Sequence, residues 1–318
     1  MSRFFCSFLL MFRLYCPGVS TDVFFDEKEL LSSCEFMCNR QNKTVKFGMF
    51  SNVQNEPRIY EWVSHHLNLG AESITLFDHL SEVPLKKLFR QSDARIEICR
   101  YDEKNARGLK DFFISAAINV AKSRNYEWML YLDADEFIIL NNYPTFLPFL
   151  SNWTTYTDLI SMNWLIFGSN NQTSEPQNSM FSSYNRSNFA LDKHVKSFVK
   201  PKLIASQYTP HTYTLRQGGI RMGIDRIIIP VTCQTPWYHR VNKPFSDVDG
   251  YVAHFYIQSR ETFRFRKLNR RRDDSGEPWP FKYDVLFHNN EILNLGPAKY
   301  EQQNRKMESL IKEGVCRT

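Results

Sequence analysis

Three carboxylates close one apolar run of this chain, and their spacing suits a divalent cation. The segment YLDADEF occupies residues 131–137, so Asp133, Asp135 and Glu136 fall within four positions. Residues 128–132 (WMLYL) follow polar Arg124, Asn125 and Glu127, and a short apolar run bounded in this way predicts a buried strand. Asp133 and Asp135 stand two apart, which puts both side chains on one side of an extended chain. Like charges so placed repel unless something neutralises them, and Mn²⁺ or Mg²⁺ does so well while reaching on to a diphosphate. The carboxyl end of a strand is also where open α/β sheets bind ligands. The competing reading is a strand-end turn with solvated acids.

The elements that must position these acids alternate. Residues 45–51 predict a strand, 52–57 a loop, and 58–69 a helix with Ile59, Trp62, Val63, His66 and Leu69 on one face and Gly70 as its C-cap. Residues 73–77 predict a strand ending at Asp78, 85–90 a helix and 95–100 a strand. A long helix over 109–123 turns Phe112, Phe113, Ala116, Ala117, Val120 and Ala121 inward, and the acid-tipped strand follows. The fold class is therefore α/β, with a mostly parallel central sheet flanked by helices. After Asn141 the alternation fades. Strands are expected at 159–167, 196–204 and 227–231, and helices at 263–272 and 299–312. The polar stretch 168–188 is too long for a plain connection and is expected to be a binding loop.

Composition narrows the function classes. The chain has 318 residues, 42% hydrophobic and 15% aromatic, enough for one large domain with a real core. A formal net charge of +6 suits an anionic ligand and falls short of a nucleic-acid-binding composition. The seven cysteines lack C-x-x-C spacing, which argues against structural zinc; Cys34 and Cys38 would form a local disulfide in an exported protein and remain thiols in a reducing compartment. Arg3, the apolar run 4–12 and Gly18-Val19-Ser20 loosely resemble a secretory signal, while a run that Arg13 interrupts is too short to span a bilayer. Sequons at Asn42, Asn152, Asn171 and Asn185 are about as many as chance supplies. Secretory or membrane-associated and cytoplasmic locations both stay open.

Other polar residues could serve an anionic ligand. Asn55 and Glu56, before Pro57, could take the base or ribose of a nucleotide, or cap the following helix. Asp78 could bind a base or ribose, or close a turn with Ser81. Arg107 and Lys110 open the helix leading to the acidic strand and could reach phosphate oxygens, or stay solvated. One or two of Arg264, Arg266, Lys267, Arg270, Arg271 and Arg272 could neutralise a departing diphosphate; the others would form a solvated basic face or a peripheral membrane contact.

The order of segments resembles the glycosyltransferases of family 92, once grouped as domain of unknown function 23, and their bacterial family 2 relatives. The resemblance runs from about residue 46 to about residue 300. It is carried by NEPRIYEWVSHHLNLG at 55–70, ITLFDH ending at His79, WMLYLDADEF at 128–137, WLIFGS at 164–169, KSFVKP at 196–201, AHFYIQSRETF at 253–263 and RKLNRR at 266–271. It implies a GT-A-type, Rossmann-like domain over 45–300 with C-terminal acceptor-side additions. A targeting or stem segment (1–44) would precede that domain and a helical tail (301–318) would follow it. It further implies a nucleotide-sugar donor (a UDP-sugar first), a glycan or glycoconjugate acceptor, Mn²⁺ or Mg²⁺ on Asp133 and Asp135, and inversion at the anomeric carbon. A late metal-ligating histidine falls on His254, with His211 second and His239 third. The carboxylate base that inversion needs is not singled out among Glu175, Asp192 and Asp225; Trp164 and Phe167 could stack on a sugar or simply pack. Haloacid dehalogenase-type phosphatases also carry D-x-D, but with Thr or Val where Phe137 stands. A non-catalytic glycan- or nucleotide-sugar-binding protein on the same fold is the alternative from another class.

Overall fold

The apolar runs of the N-terminal half fold as their alternation predicts. The structure, a computed structural model, describes residues 26–39, 46–104, 108–209, 211–229, 245–269, 271–272, 275–279 and 289–316. In chain order come α1 (Glu27–Ser32), β1 (Glu35–Phe36), β2 (Phe47–Val53), α2 (Ile59–Asn68), β3 (Ser73–His79), α3 (Leu85–Leu88), β4 (Ile96–Tyr101), α4 (Leu109–Ser123) and β5 (Trp128–Tyr131). Strands β4, β3, β2 and β5 lie side by side in that order and are parallel. Every residue of β3 and β5 is buried, because helices cover both faces of the sheet. Met49, Leu76 and Leu130 pack with Trp62 and Val63 of α2 on one face. Phe50, Phe77 and Met129 pack with Phe113 and Ala117 of α4 on the other. Each large side chain so buried contributes about 1.5–3 kcal/mol.

The second half extends this sheet with strands of both directions. It supplies β6 (Glu136–Leu140), α5 (Phe146–Trp153), β7 (Leu159–Ile166), α6 (Met180–Ser183), β8 (Arg186–Ser187), β9 (Val195–Val199), β10 (Ile204–Thr209), β11 (Thr212–Leu215), β12 (Arg221–Gly223), β13 (Gly250–His254), α7 (Arg260–Phe263), β14 (Ile292–Leu293) and α8 (Glu301–Lys312). The sheet runs β1-β4-β3-β2-β5-β9-β7-β13-β6, with β12 also on β7. The architecture is mixed α/β, with a large, mostly parallel central sheet flanked by helices. Strand β9 is antiparallel to both β5 and β7, and β13 is parallel to β7 but antiparallel to β6. Gly250 lets β13 approach: a Cβ there would stand 2.1 Å from the Ile139 carbonyl oxygen of β6.

Several expectations are corrected. Helix α2 begins at Ile59 with Arg58 at its N-cap and no side-chain cap, so Asn55 does not cap it. Its C-terminus is as expected: Gly70 has φ +85°, and the Ala71 N–H closes on the His66 carbonyl at 2.9 Å. The expected strand 196–204 is broken by a 3₁₀ turn at Pro201–Leu203, after which β10 leaves the sheet to form a hairpin with β11. Of the expected strand 227–231, residues 230 and 231 lie outside the described residues, and Ile228 makes only an isolated bridge to Met222. The stretch 168–188 is not bare loop. It contains α6 and β8, and Arg58 fastens it through Glu175 and the carbonyls of Pro176 and Asn178. The helix expected over 263–272 starts earlier, as α7, and continues as a π-helical turn over Arg264–Leu268.

The first and last described elements are anchored on the rest of the domain. Strand β1 pairs with β4, and α8 packs on α2 through Asn304, which bonds both Asn68 and His65. Cys34 is joined to Cys99 of β4, and Cys38 to Cys316 beyond α8. The local Cys34–Cys38 bridge therefore does not form, because the extended pair β1 carries the two sulfurs toward different partners. Among the described residues no helix is long and apolar enough to cross a membrane.

Candidate functional site

Register brings distant acids and bases to one edge of the sheet. Val53 lies opposite Asp78, and Phe50 opposite Tyr131, so β2, β3 and β5 end together with Asn55, Asp78 and Asp133 at their carboxyl ends. Past Tyr131 the chain turns, the Glu136 N–H bonding the Asp133 carbonyl at 3.0 Å, and returns as β6. Glu136 then faces His254 across the β6–β13 pair, and His254 lies beside Ile166 of β7. Because β9 runs against β5, Lys196, the second residue of β9, arrives at the same edge. A cavity of about 190 Å³ opens there, with Asp133, Asp135, Lys110, His254, Trp164 and Arg266 in its wall.

Cations from three segments meet the acids. The Lys110 ammonium, at the start of α4, contacts Asp133 and also donates to Asn52 Oδ1 at 2.8 Å. Lys196 reaches Asp133 Oδ2 at 2.9 Å and Glu136 Oε2 at 3.1 Å. Arg266 donates to Asp135 Oδ2 at 2.8 Å and to Glu56 Oε2 at 2.7 Å, and Lys267 stands 3.4 Å from Asp135 Oδ2. Arg266 and Lys267 are adjacent in sequence yet both buried, which the wide π-helical turn permits. Burial alone would raise both aspartate pKa values. Lys110 and Lys196 outweigh it at Asp133, and Lys267, Arg266 and His254 at Asp135, so both carboxyls are held well below the usual range. Glu136, buried deeper and sharing Lys196 with Asp133, is raised by that burial.

The donor set fits a divalent cation at Asp135 and His254. His254 is buried, its Nδ1 has no hydrogen-bond partner, and its Nε2 stands 3.6 Å from Asp135 Oδ1, beyond a hydrogen bond. Neighbouring ligands on one ion sit roughly 3 Å apart, so a small closure of this pair would seat Mn²⁺ or Mg²⁺. Asp133 is held by two lysines and faces the same cavity. No group of three or more His, Cys, Asp or Glu among the described residues forms a ready-made metal cluster. Any other ligands would have to come from outside these residues. Glu56, Asp133, Asp135 and Glu136 are matched in number by Lys110, Lys196, Arg266 and Lys267.

The remaining sequence candidates divide. Glu56 is in the cavity wall, while Asn55 has its amide oxygen bonded to the Glu82 N–H at 2.8 Å. Asp78 is fully buried outside the cavity wall, accepting from the Leu85 N–H at 2.9 Å and the Ser81 N–H at 3.3 Å and pairing with Arg100 at 3.0 Å. It closes a turn, the simpler of its two readings. Arg107, His239 and Arg270 lie outside the described residues. Arg264 is exposed and Arg272 sits over the Trp279 ring. His211 is in the cavity wall, but its Nδ1 faces the Val195 carbonyl at 3.1 Å, and burial, helped by nearby Lys196, pushes it down to about 3. Of the three candidate bases, Glu175 is held by Arg58 and Thr262, and Asp225 bonds the Ile227 N–H at 3.1 Å. Asp192 is bonded to His194.

No family model matches the chain, and no curated protein matches it. Solved structures resemble it weakly. A UDP-glucose pyrophosphorylase complexed with UDP-glucose matches at 10% identity and a TM-score of 0.29, over 50% of this chain and 77% of its own. A Bacillus anthracis protein described as a glucose-1-phosphate thymidylyltransferase, in complex with sucrose, matches at 10% identity and a TM-score of 0.29, over 50% and 72%. A197 from STIV matches at 9% identity and a TM-score of 0.24, over 50% and 66%.

Sequence reasoning missed Asn52, Lys196, Tyr256 and Trp279. Lys196 left a trace: it is the lone charge in VKSFV, a strand buried at every position. A charge inside such a run has to be paired. Tyr256 and Trp279 flank Lys267, whose ammonium lies 4.8 Å from each ring centroid, a cation–π arrangement that no local pattern announces.

Proposed function

We propose that the protein is a metal-assisted glycosyltransferase that moves a sugar from a nucleotide-diphosphate sugar to an acceptor hydroxyl with inversion. What supports this most is the pairing of buried His254, whose Nδ1 has no hydrogen-bond partner, with Asp135 inside a cation-lined cavity at the carboxyl edge of the parallel strands. Asp135 and His254 would hold the cation, which when bound offsets charge on the departing diphosphate. Lys110 and Arg266, released in part from Asp133 and Asp135 as the donor enters, would bind phosphate oxygens. The rings of Tyr256 and Trp279 offer a stacking face for the base or sugar. Two disulfides fit an oxidising compartment, as in the secretory pathway.

Thermal shift with UDP-, GDP- and CMP-activated sugars, with Mn²⁺ and with chelator, tests binding, because a ligand stabilises by RT ln(1 + [L]/Kd). Release of labelled sugar to water or to a glycoside tests turnover. Metal-dependent stabilisation with turnover supports the transferase. Stabilisation without any turnover favours the non-catalytic binding protein, and no stabilisation by any donor rejects both.

A further inference from the structure

Inversion needs a proton acceptor beside the incoming hydroxyl, and the carboxylates around the cavity are committed elsewhere. Asp133, Asp135, Glu56 and Glu136 each face at least one buried cation. At Asp133 and Asp135 those cations outweigh burial and make the carboxylates weak bases, and Glu136 is fully buried outside the cavity wall. Asp192 is different: its Oδ1 accepts the His194 backbone N–H at 2.9 Å and makes a close contact with Nδ1 of the same residue. A carboxylate on Nδ1 fixes the ring and turns Nε2 away from itself, the arrangement by which an acid orients a histidine base.

The placement of this pair is also fixed. The Asp192 N–H donates to the Trp164 carbonyl at 2.7 Å, the Trp164 N–H donates to the His194 carbonyl at 3.0 Å, and Asn163 Nδ2 holds the Asp192 carbonyl at 2.9 Å. The His194 ring then lies almost flat on Trp164, 4.8 Å between centroids and 22° between planes, and 5.5 Å from the His211 ring. The imidazole is not itself in the cavity wall but packs against two residues that are, Trp164 and His211, with about a quarter of its side chain exposed.

We propose that His194, oriented by Asp192, is the base that deprotonates the acceptor hydroxyl. This rests on the transferase reading above. The acceptor oxygen forms a bond to the anomeric carbon while the bond from that carbon to the diphosphate oxygen breaks. Its electron pair leaves with the nucleoside diphosphate, and the hydroxyl proton passes to Nε2 of His194, giving an imidazolium that Asp192 stabilises. Asp192 is a positioning residue and His194 the catalytic one.

The test uses the full chain with labelled UDP-sugars, Mn²⁺ and a panel of p-nitrophenyl glycosides. His194→Gln is expected to lower transfer kcat by at least about 100-fold, the usual worth of a positioned base, with donor KM and the thermal shift by UDP–Mn²⁺ unchanged. Asp192→Asn is expected to lower kcat about tenfold, again at constant donor KM. His194→Gly should regain transfer on addition of free imidazole, which a purely structural role would not allow. An active wild-type chain whose His194→Gln variant transfers within threefold of normal overturns the base assignment and leaves the transferase reading intact. A wild-type chain that binds donor but transfers to nothing overturns both.

Discussion

Asp78 and Asp133 sit at the carboxyl ends of parallel strands in one sheet, yet they belong to different kinds of site. At the end of β3, Asp78 is surrounded by local backbone: the N–H groups of Ser81 and Leu85, with Arg100 from neighbouring β4. At the end of β5, Asp133 and Asp135 meet no such local N–H groups. Their partners are side chains from α4, β9, β13 and the π-helical turn. An acid satisfied by its own turn is a fastener, and one satisfied by side-chain charges from distant elements can exchange them for a ligand. The end of a strand confers opportunity, and the chemistry of its partners decides the use.

The comparison is sharpest in a stability measurement. Asp78→Ala should cost roughly 3–5 kcal/mol, because it strips two buried N–H groups of their acceptor and leaves exposed Asp102 as the remaining carboxylate paired with Arg100. Urea unfolding checks this, and UDP–Mn²⁺ affinity of the folded fraction should not change. A variant of normal stability with weakened nucleotide binding would move Asp78 into the site and break the contrast.

Acid tests the scaffold behind both edges. His65 is buried against the Ile138 carbonyl of β6, and that burial pushes it down to about 4. The unfolded chain, with an ordinary histidine near 6.5, takes up the proton first. Stability present at neutral pH is therefore lost as pH falls from about 6.5 to 4, by about 3 kcal/mol at pH 4, and levels off below. Unfolding midpoints across this range in wild type and His65→Asn should converge toward acid. Parallel curves would remove His65 as the cause.

At the β5 edge the expected losses are in binding. Asp135→Asn should weaken Mn²⁺-dependent UDP binding at least tenfold, about 1.4 kcal/mol. It should cost less stability than Asp78→Ala, since Arg266 keeps Glu56. Equal affinity in mutant and parent would return Asp135 to the class of Asp78. The smallest effect is expected at His254→Ala: about a threefold loss of Mn²⁺-supported binding, roughly 0.7 kcal/mol, with affinity in chelator unchanged. A loss equal with and without metal would make His254 a packing residue.

What the sequence determined by itself was the set of segments whose neighbours in space are neighbours in pattern. Strands β2, β3 and β5 and helices α2 and α4 were legible because their periodicity and the Gly70 terminus are local properties. So was the acid-tipped strand, down to Asp133 and Asp135. The pairing of those acids was not. Lys196 lies 63 residues from Asp133, Arg266 131 from Asp135 and 210 from Glu56. No periodicity links such positions. They meet because β9 is inserted antiparallel between β5 and β7, because β13 pairs with β6, and because a π-helical turn points two successive cations inward. The same holds for β6, whose apolar run looks like more of β5 until the chain reverses at the acids, and for Cys34 and Cys38, whose sulfurs find partners 65 and 278 residues away. Local sequence sets the shape of each element and which face it buries. Which charges finally face each other is decided only when the elements pack, since burial makes every unpaired charge costly and leaves few registers in which all of them are matched.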